Sequence, residues 1–449
     1  MQRPLQIAFL SEHASPTVAL GGQDAGGQNV YVDELSRALG GLGHSIDIFT
    51  RRSCASAPEI IDWAPGVRVV NLPVGPPEFI SKDDLWLRMP EFLNTLRHFM
   101  TREHIHYDLV HGNFWMSGWA ALQLRHQFNL PVVQIFHALG KTKQRFQGAA
   151  DTSPLGRIAI ELDVVREADR LIAQCPSERG ELTRDYGADP DKIALIPGAV
   201  NSERFRPVPR DEARRRIGLP LDDFVIVYVG RVLPRKDIRN LVEAFALLHD
   251  IVGEQQAPGH SSTIQQPVPR LVIVGGETVE PDPIATPEIG ALQQLAQELG
   301  VADLVQFIGK RQPDELRDFY SAADVAATTP WYEPFGFTPL EAMACGRPVI
   351  GSAVGGLTFT IQDGVTGLLV PPREPQALAS RLYQLMIHPE LRAAMGQAAR
   401  QRIEREFTWD ITARRIAALY QSLIGNQRAV GEHPQPTTWE RVVGDVIRW

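Results

Sequence analysis

Short apolar runs and helix-length amphipathic segments alternate along this chain, and the whole alternation occurs twice. Residues 5–11, LQIAFLS, have the length and composition of a buried strand. VYVDELSRALGGLG follows, with apolar residues at helical spacing and a glycine-rich stop near Gly40 to Gly43. SIDIFTR, VRVVNLP, YDLVHGN, VVQIFHA, ADRLIAQ and KIALIPG continue the series, most of them separated by helical segments. Residues 201–216, NSERFRPVPRDEARRR, break the pattern with charge and two prolines. It then restarts with DFVIVYVGR, PRLVIVGG, LVQFIGK, ADVAATT, RPVIGSA and TGLLVPP. Continuous apolar strands joined by helices need cover on both faces, which predicts an α/β fold of doubly wound parallel sheets. Two Rossmann-like halves are expected, 1–205 and 206–425, facing each other across a cleft. A tail, 426–449, is expected to pack back on the first half. Residues 252–270, rich in Gln, Pro and Ser, read as a surface insertion.

Composition narrows the partners. Asp and Glu outnumber Lys and Arg, 53 to 45, for a net charge of -8. An acidic chain is a poor match for nucleic acid, so an anionic ligand must be held by a few local cations and backbone amides. Cys54, Cys175 and Cys345 are far apart and form no metal or disulfide framework, which fits a reducing cytoplasm. The apolar run in MQRPLQIAFLSEH is too short for a secretory leader, and no run approaches the roughly 18–20 apolar residues of a membrane span. A soluble, cytoplasmic protein acting on small molecules is expected.

Three segments carry candidate chemistry. Gly21-Gly22-Gln23-Asp24-Ala25-Gly26-Gly27-Gln28-Asn29 joins the first strand to the first helix. Glycines there let the backbone approach a ligand, and a helix start favours anions. The spacing is not GxGxxG, which disfavours a simple NAD site. Gly230 to Lys236 occupies the equivalent position in the second half, where Arg231 could fork onto a diphosphate and Lys236 add a point charge. A solvated basic turn is the alternative. In WYEPFGFTPLEAMACGRPVIGS, Glu333 precedes an aromatic-glycine turn, Pro334-Phe335-Gly336-Phe337. Paired sugar hydroxyls suit such a carboxylate. Thr338-Pro339-Leu340-Glu341 reads as a helix start, with Thr338 as N-cap and Glu341 as its return partner. His137 ends a strand run and is as readily structural as functional. His104, His106 and His111 are a weak metal pattern, and Asp189-Pro190-Asp191 reads as a turn. No serine elbow or Cys/His nucleophile arrangement is present in the sequence.

Together these segments resemble the retaining glycosyltransferases of family 4, which have the two-Rossmann GT-B fold. The resemblance runs to about residue 425, and Glu333 to Glu341 is similar to the family's E-x(7)-E motif. SEHASPTVALGGQDAGGQNVYVDELSRAL, HGNFW and HALGKTK resemble one branch: sucrose synthases, sucrose-phosphate synthases and the N-acetylglucosaminyl-inositol-phosphate synthases. By that resemblance, Arg231 and Lys236 bind the donor diphosphate, and Gly26 and Gly27 approach it. Glu333, with Phe335 and Gly336, holds donor-sugar hydroxyls. Phe337 and Thr338 belong to the same donor wall, Glu341 holds the ribose, and His137 contacts the sugar near the reacting carbon. Gln28, Asn29, Lys82 and Arg157 would face the acceptor. The branch's acceptor-phosphate Lys, Tyr, Thr and Arg correspond to Lys82, Phe114, Ala138 and Arg157, so two hydroxyls are missing.

The resemblance implies transfer of glucose or N-acetylglucosamine from a UDP-sugar to a small sugar or cyclitol, with or without a phosphate. No metal and no cofactor beyond the nucleotide sugar is expected. Lobe closure about residues 201–216 is expected with donor binding. A nucleotide-sugar epimerase or hydrolase, and a non-catalytic nucleotide-sugar sensor, are the rival readings.

Overall fold

The computed structural model describes residues 3–17, 26–256 and 267–429. Two sheets organise them. The first contains β1 (Gln6–Leu10), β2 (Ser45–Arg51), β3 (Ile60–Ala64), β4 (Val67–Leu72), β5 (Leu109–Asn113), β6 (Val132–Ile135), β7 (Arg170–Ala173) and β8 (Ile193–Leu195). Their spatial order is β3-β4-β2-β1-β5-β6-β7-β8, parallel except for β3, which runs antiparallel to β4. The second contains β9 (Phe224–Val229), β10 (Pro269–Val274), β11 (Val305–Gly309), β12 (Val325–Thr328), β13 (Val349–Ser352) and β14 (Gly367–Val370). It is parallel throughout, in the order β11-β10-β9-β12-β13-β14.

The period of two explains how each sheet is covered. Ile7 and Phe9 of β1 enter one hydrophobic cluster, while Ala8 and Leu10 enter another on the opposite face. Phe224, Ile226 and Tyr228 of β9 divide from Val225, Val227 and Val229 in the same way. Helices supply the cover. The helix Met89–Arg102 starts with a proline in its first turn and buries Met89, Phe92, Leu93, Leu96, Phe99 and Met100, a single stripe. Among the described residues, no helix is long and apolar enough to cross a membrane.

Strand order reverses between β1 and β5 in the first sheet and between β9 and β12 in the second. Ligand crevices of open α/β sheets form outside the carboxyl ends of strands at such points. Gly26 with the start of helix Gly27–Gly41, and the Gly230–Lys236 segment, therefore fall at equivalent places in the two halves.

The sequence leaves open which half the last helix covers. The helix Trp409–Ala429 crosses the expected 425 boundary, and of the two halves it could have covered it packs on the first. Trp409, Ala413, Ile416, Ala417, Tyr420 and Leu423 form its buried stripe, set against Tyr31, Val32, Leu35 and Leu39 of helix Gly27–Gly41. Burying each large side chain of that stripe is worth about 1.5–3 kcal/mol. The stripe specifies an apolar partner face, and the first half supplies one that the second has already covered with helix Pro389–Glu406. The 252–270 insertion lies partly in helix Ile238–Gln256, with 257–266 outside the described residues. Of the expected 426–449 tail, residues 430–449 also lie outside them.

Candidate functional site

A cavity of about 620 Å³ separates the two halves. Gly26, Gly27, Gln28, Lys82, His137 and Arg157 line it from the first half. Arg231, Lys236, Glu333, Phe335, Phe337, Thr338 and Glu341 line it from the second. Most residues singled out in the sequence thus meet at one place, although they span more than 300 positions. Residues 21–25 of the glycine-rich segment lie outside the described residues.

The second-half wall is built from three loops. Gly230 follows β9 and Gly275 follows β10, and a Cβ on Gly275 would sit 1.9 Å from the Gly230 carbonyl oxygen. Only glycine permits that crossing. Pro234–Lys236 forms a short 3-10 turn, and the Trp331 amide donates to the Arg235 carbonyl at 3.0 Å, tying the basic loop to the loop after β12. Lys236 Nζ then meets Glu333 Oε2 at 2.5 Å. Behind Glu333, the Gly356 amide donates to its carbonyl at 2.8 Å, and a Cβ on Gly355 would lie 2.2 Å from that same oxygen.

Burial and charge set the protonation states here. Burial alone would raise the Glu333 carboxyl, but Lys236, Arg235 and Arg231 pull it below its ordinary value. Burial lowers Lys236, and Glu333 opposes that shift. Glu341 has no lysine paired to it, and of the cations only Arg204 acts to lower it. Burial raises it to about 7 even though the Tyr320 hydroxyl donates to Oε2 at 2.7 Å.

The helix behind this loop starts earlier than the sequence suggested. It spans Phe337–Ala344, so Gly336 is the N-cap and Thr338 is already inside. The apparent capping box therefore does not form, and Glu341 faces the cavity and Tyr320 instead. Gly336 itself does not line the cavity. It adopts φ +99°, and a Cβ there would lie 2.8 Å from Leu357 Cδ2.

The first-half wall is less charged. Gly27 opens its helix so close to the other half that a Cβ would come 2.8 Å from the Phe337 ring. Gln28 Nε2 donates to Ser11 Oγ at 3.2 Å. Asn29, expected to face the acceptor, is turned away and buried. Its Oδ1 accepts from the Gly26 amide at 3.0 Å, and its Nδ2 donates to the Ser15 carbonyl at 2.9 Å. At the third helical position, its side chain satisfies the Gly26 amide of the helix start and ties it to the segment after β1. Arg157 lines the cavity but is nearly buried, with Nε on Glu161 Oε1 at 2.8 Å and Nη2 on the Ala138 carbonyl at 2.6 Å. Its guanidinium lies 5.0 Å over the Phe114 ring.

Two residues on this wall hold backbone that disfavours side chains. Phe114 has φ +79° and His137 φ +58°. Such strain persists only where surrounding contacts fix it, and it clusters at functional sites. The Phe114 carbonyl accepts from Gln134 Nε2 at 2.9 Å, and His137 Nε2 lies 3.1 Å from Asn113 Oδ1, to which it donates. Burial, then the nearby His111 and His13, lower the His137 ring to about 3, so it is neutral in the working range.

Sequence reading missed several lining residues: His13, Arg204, Arg235, Lys310, Arg311 and Tyr332. Their signal was position. His13 follows β1 and Lys310-Arg311 follow β11, at carboxyl ends where ligands gather. Tyr332 bridges the halves, with its hydroxyl 3.1 Å from Glu181 Oε2 and its ring stacked on Phe146 at 5.0 Å. Cys175 Sγ also reaches the Pro334 carbonyl at 3.2 Å, so the halves are drawn together around the cavity. His104, His106 and His111 do not converge: among the described residues, no three His, Cys, Asp or Glu side chains form a metal-ligating group. His111 instead pairs with the Tyr420 hydroxyl on the returning helix. Asp189 caps the turn Pro190–Lys192, accepting from the Asp191 amide at 3.0 Å.

Comparison with known proteins agrees with the two-lobed arrangement. The model for glycosyl transferases group 1 matches residues 209–402, and that for glycosyltransferase family 4 matches residues 25–204. A D-inositol 3-phosphate glycosyltransferase of Streptomyces scabiei is 37% identical across 95% of this chain and 93% of its own length. Another, from Acidothermus cellulolyticus, is 38% identical across 95% of this chain and 92% of its own. Among solved structures, sucrose-phosphate synthase from Thermosynechococcus elongatus is 34% identical, with a TM-score of 0.83 over 94% of this chain and all of that one. Anabaena HepE, solved with UDP-glucose, has the same fold at 18% identity and a TM-score of 0.67, over 93% of this chain and all of that one.

Proposed function

The chain belongs to glycosyltransferase family 4, and from that premise we propose that it moves a glucosyl or N-acetylglucosaminyl group from a UDP-sugar to a small sugar or cyclitol, with or without a phosphate. One observation carries the reading. Arg231, Lys236 and Glu333 face the Gly26–Gly27 helix start and His137 across a single cavity. A diphosphate needs cations and amide dipoles, and a hexose needs a carboxylate for its paired hydroxyls.

In this reading the donor enters beside Lys236 and Glu333, which pair with each other. The diphosphate takes Lys236 and Arg231, and the sugar hydroxyls take Glu333. Glu341 accepts from the ribose. The bond between the anomeric carbon and the phosphate oxygen breaks, and the acceptor oxygen bonds that carbon on the same face. The acceptor's proton passes to the departing phosphate oxygen. Arg231, Lys236 and the two helix starts stabilise the charge that builds on the diphosphate. His137, neutral throughout, contributes a hydrogen bond to the sugar and no charge. Transfer is read as metal-independent, so EDTA should leave the rate unchanged. A rate restored only by added Mg²⁺ or Mn²⁺ would contradict that part.

A nucleotide-release screen tests the whole. UDP-, GDP- and ADP-sugars are each offered with and without inositol, fructose and their phosphates. UDP release that rises with one acceptor is expected. Release indifferent to every acceptor points to a hydrolase or epimerase, and binding without release points to a sensor.

A further inference from the structure

In the transfer reading His137 gives the sugar one hydrogen bond, and a neutral ring could supply either end of it. Neutral imidazole has one donor and one acceptor nitrogen, and the partner of one nitrogen fixes the role of the other. Here that partner is Asn113, the last residue of β5. His137 Nε2 lies 3.1 Å from its Oδ1. The other nitrogen, Nδ1, has no partner among the described residues. It is not enclosed either, and the ring lines the cavity.

The surroundings hold the pair still. Asn113 is completely buried, paired through β5 with Ile135 of β6, and its carbonyl accepts from Gln28 Nε2 at 3.4 Å. The next residue is Phe114, at φ +79°, with its own carbonyl tied to Gln134. His137 stands at φ +58°, and the Tyr31 ring meets it edge-on, 4.9 Å between centroids. Positive φ at two residues beside one hydrogen bond persists only where the surroundings fix it.

The chemistry of the partner is as specific as its place. A carboxylate on Nε2 would stabilise the imidazolium, whereas an amide oxygen accepts the ring proton's hydrogen bond and brings no charge. The Asn113 side chain makes no other bond, since Nδ2 is buried without a partner among the described residues. Turned over, the amide would present Nδ2 to the ring and drive the proton to Nδ1. With Oδ1 on Nε2, the Nδ1 lone pair opens on the cavity, and a sugar hydroxyl there must donate to it.

We propose that Asn113 is the positioning residue for His137: its Oδ1 holds the ring proton on Nε2, so that Nδ1 meets the donor sugar as a hydrogen-bond acceptor. The identity of that hydroxyl rests on the transfer reading. The place of the proton is a property of the protein alone.

Magic-angle-spinning 15N spectra of histidine-labelled protein show which nitrogen carries the proton, with the His137 signals identified by their loss in His137→Gln. A protonated Nε2 and a bare Nδ1 are expected in the wild type. Asn113→Leu, of similar volume, leaves Nε2 against an apolar side chain, so the proton should move to Nδ1, where water in the cavity can accept from it. Asn113→Asp keeps an oxygen on Nε2 and should keep the proton there. Calorimetry gives the second readout. Affinity for UDP-glucose should fall about tenfold in Asn113→Leu, the size of one lost hydrogen bond, while affinity for UDP, which carries no sugar, stays as in wild type. A bare Nε2 in the wild type overturns the proposal whatever the variants do. So does a proton unmoved by Asn113→Leu, or an equal fall for UDP and UDP-glucose, which would mark Asn113 as structural. A wild type that binds neither UDP nor UDP-glucose overturns the transfer reading and, with it, the role given to Nδ1.

Discussion

The two walls of the cavity occupy the same topological position and have opposite chemistry. On the second half, Arg231, Arg235, Lys236, Lys310 and Arg311 line it against two carboxylates, Glu333 and Glu341. On the first half, the cations arrive already partnered, Arg157 by Glu161 and Lys143 by Asp151, and the surfaces between them are Phe114, Ala138 and two histidines. One wall can grip an anion by charge. The other can sort hydroxyls by shape and a few hydrogen bonds. A strand-end loop at a switch point therefore fixes where a ligand binds, and the side chains on that loop decide which kind.

The largest expected effect breaks the charged wall. Lys236→Ala should lower kcat by about 10²–10³, equivalent to ~3–4 kcal/mol of lost transition-state stabilisation. A near-normal kcat in that variant would mean that the basic loop is a solvated turn after all.

Glu341 sharpens the same wall through pH. Its carboxyl titrates at about 7, raised by burial. Below that value it holds a proton and accepts poorly from the ribose hydroxyls, and above it both oxygens can accept. Affinity for UDP-glucose, whose phosphates do not titrate in this range, should therefore rise up to about tenfold from pH 6 to pH 8. Glu341→Gln should flatten that profile. An unchanged slope in calorimetric titrations of the variant would remove Glu341 from the nucleotide site.

A smaller effect is expected from the quieter wall. Restoring the two missing hydroxyls, Phe114→Tyr with Ala138→Thr, should raise kcat/KM for phosphorylated over unphosphorylated acceptors by roughly tenfold, the worth of one or two hydrogen bonds. No change in that ratio would show that phosphate recognition lies elsewhere on the first half.

The contrast between the walls also explains what the sequence disclosed. Buried parallel strands such as β9 are continuous apolar runs, so the alternation and both halves were legible. The edge strand β3 was not, because IIDWA is half exposed and Asp62 interrupts it. The returning helix shows a second limit. The stripe from Trp409 to Leu423 declared a buried face without naming its partner. On the donor side, cations and paired glutamates at fixed spacing announced themselves, though Thr338-Pro339-Leu340-Glu341 imitated a cap that Gly336 actually provides. On the acceptor side the decisive facts are three-dimensional. Asn29 folds inward and Arg157 is consumed by Glu161.

The most direct test of the central claim is a crystal structure with UDP-glucose bound. The account predicts the diphosphate within hydrogen-bonding distance of Arg231 and Lys236, with Glu333 released from Lys236 onto the glucose hydroxyls. A diphosphate resting on the first half, or Lys236 still paired with Glu333 beside an occupied cavity, would contradict it.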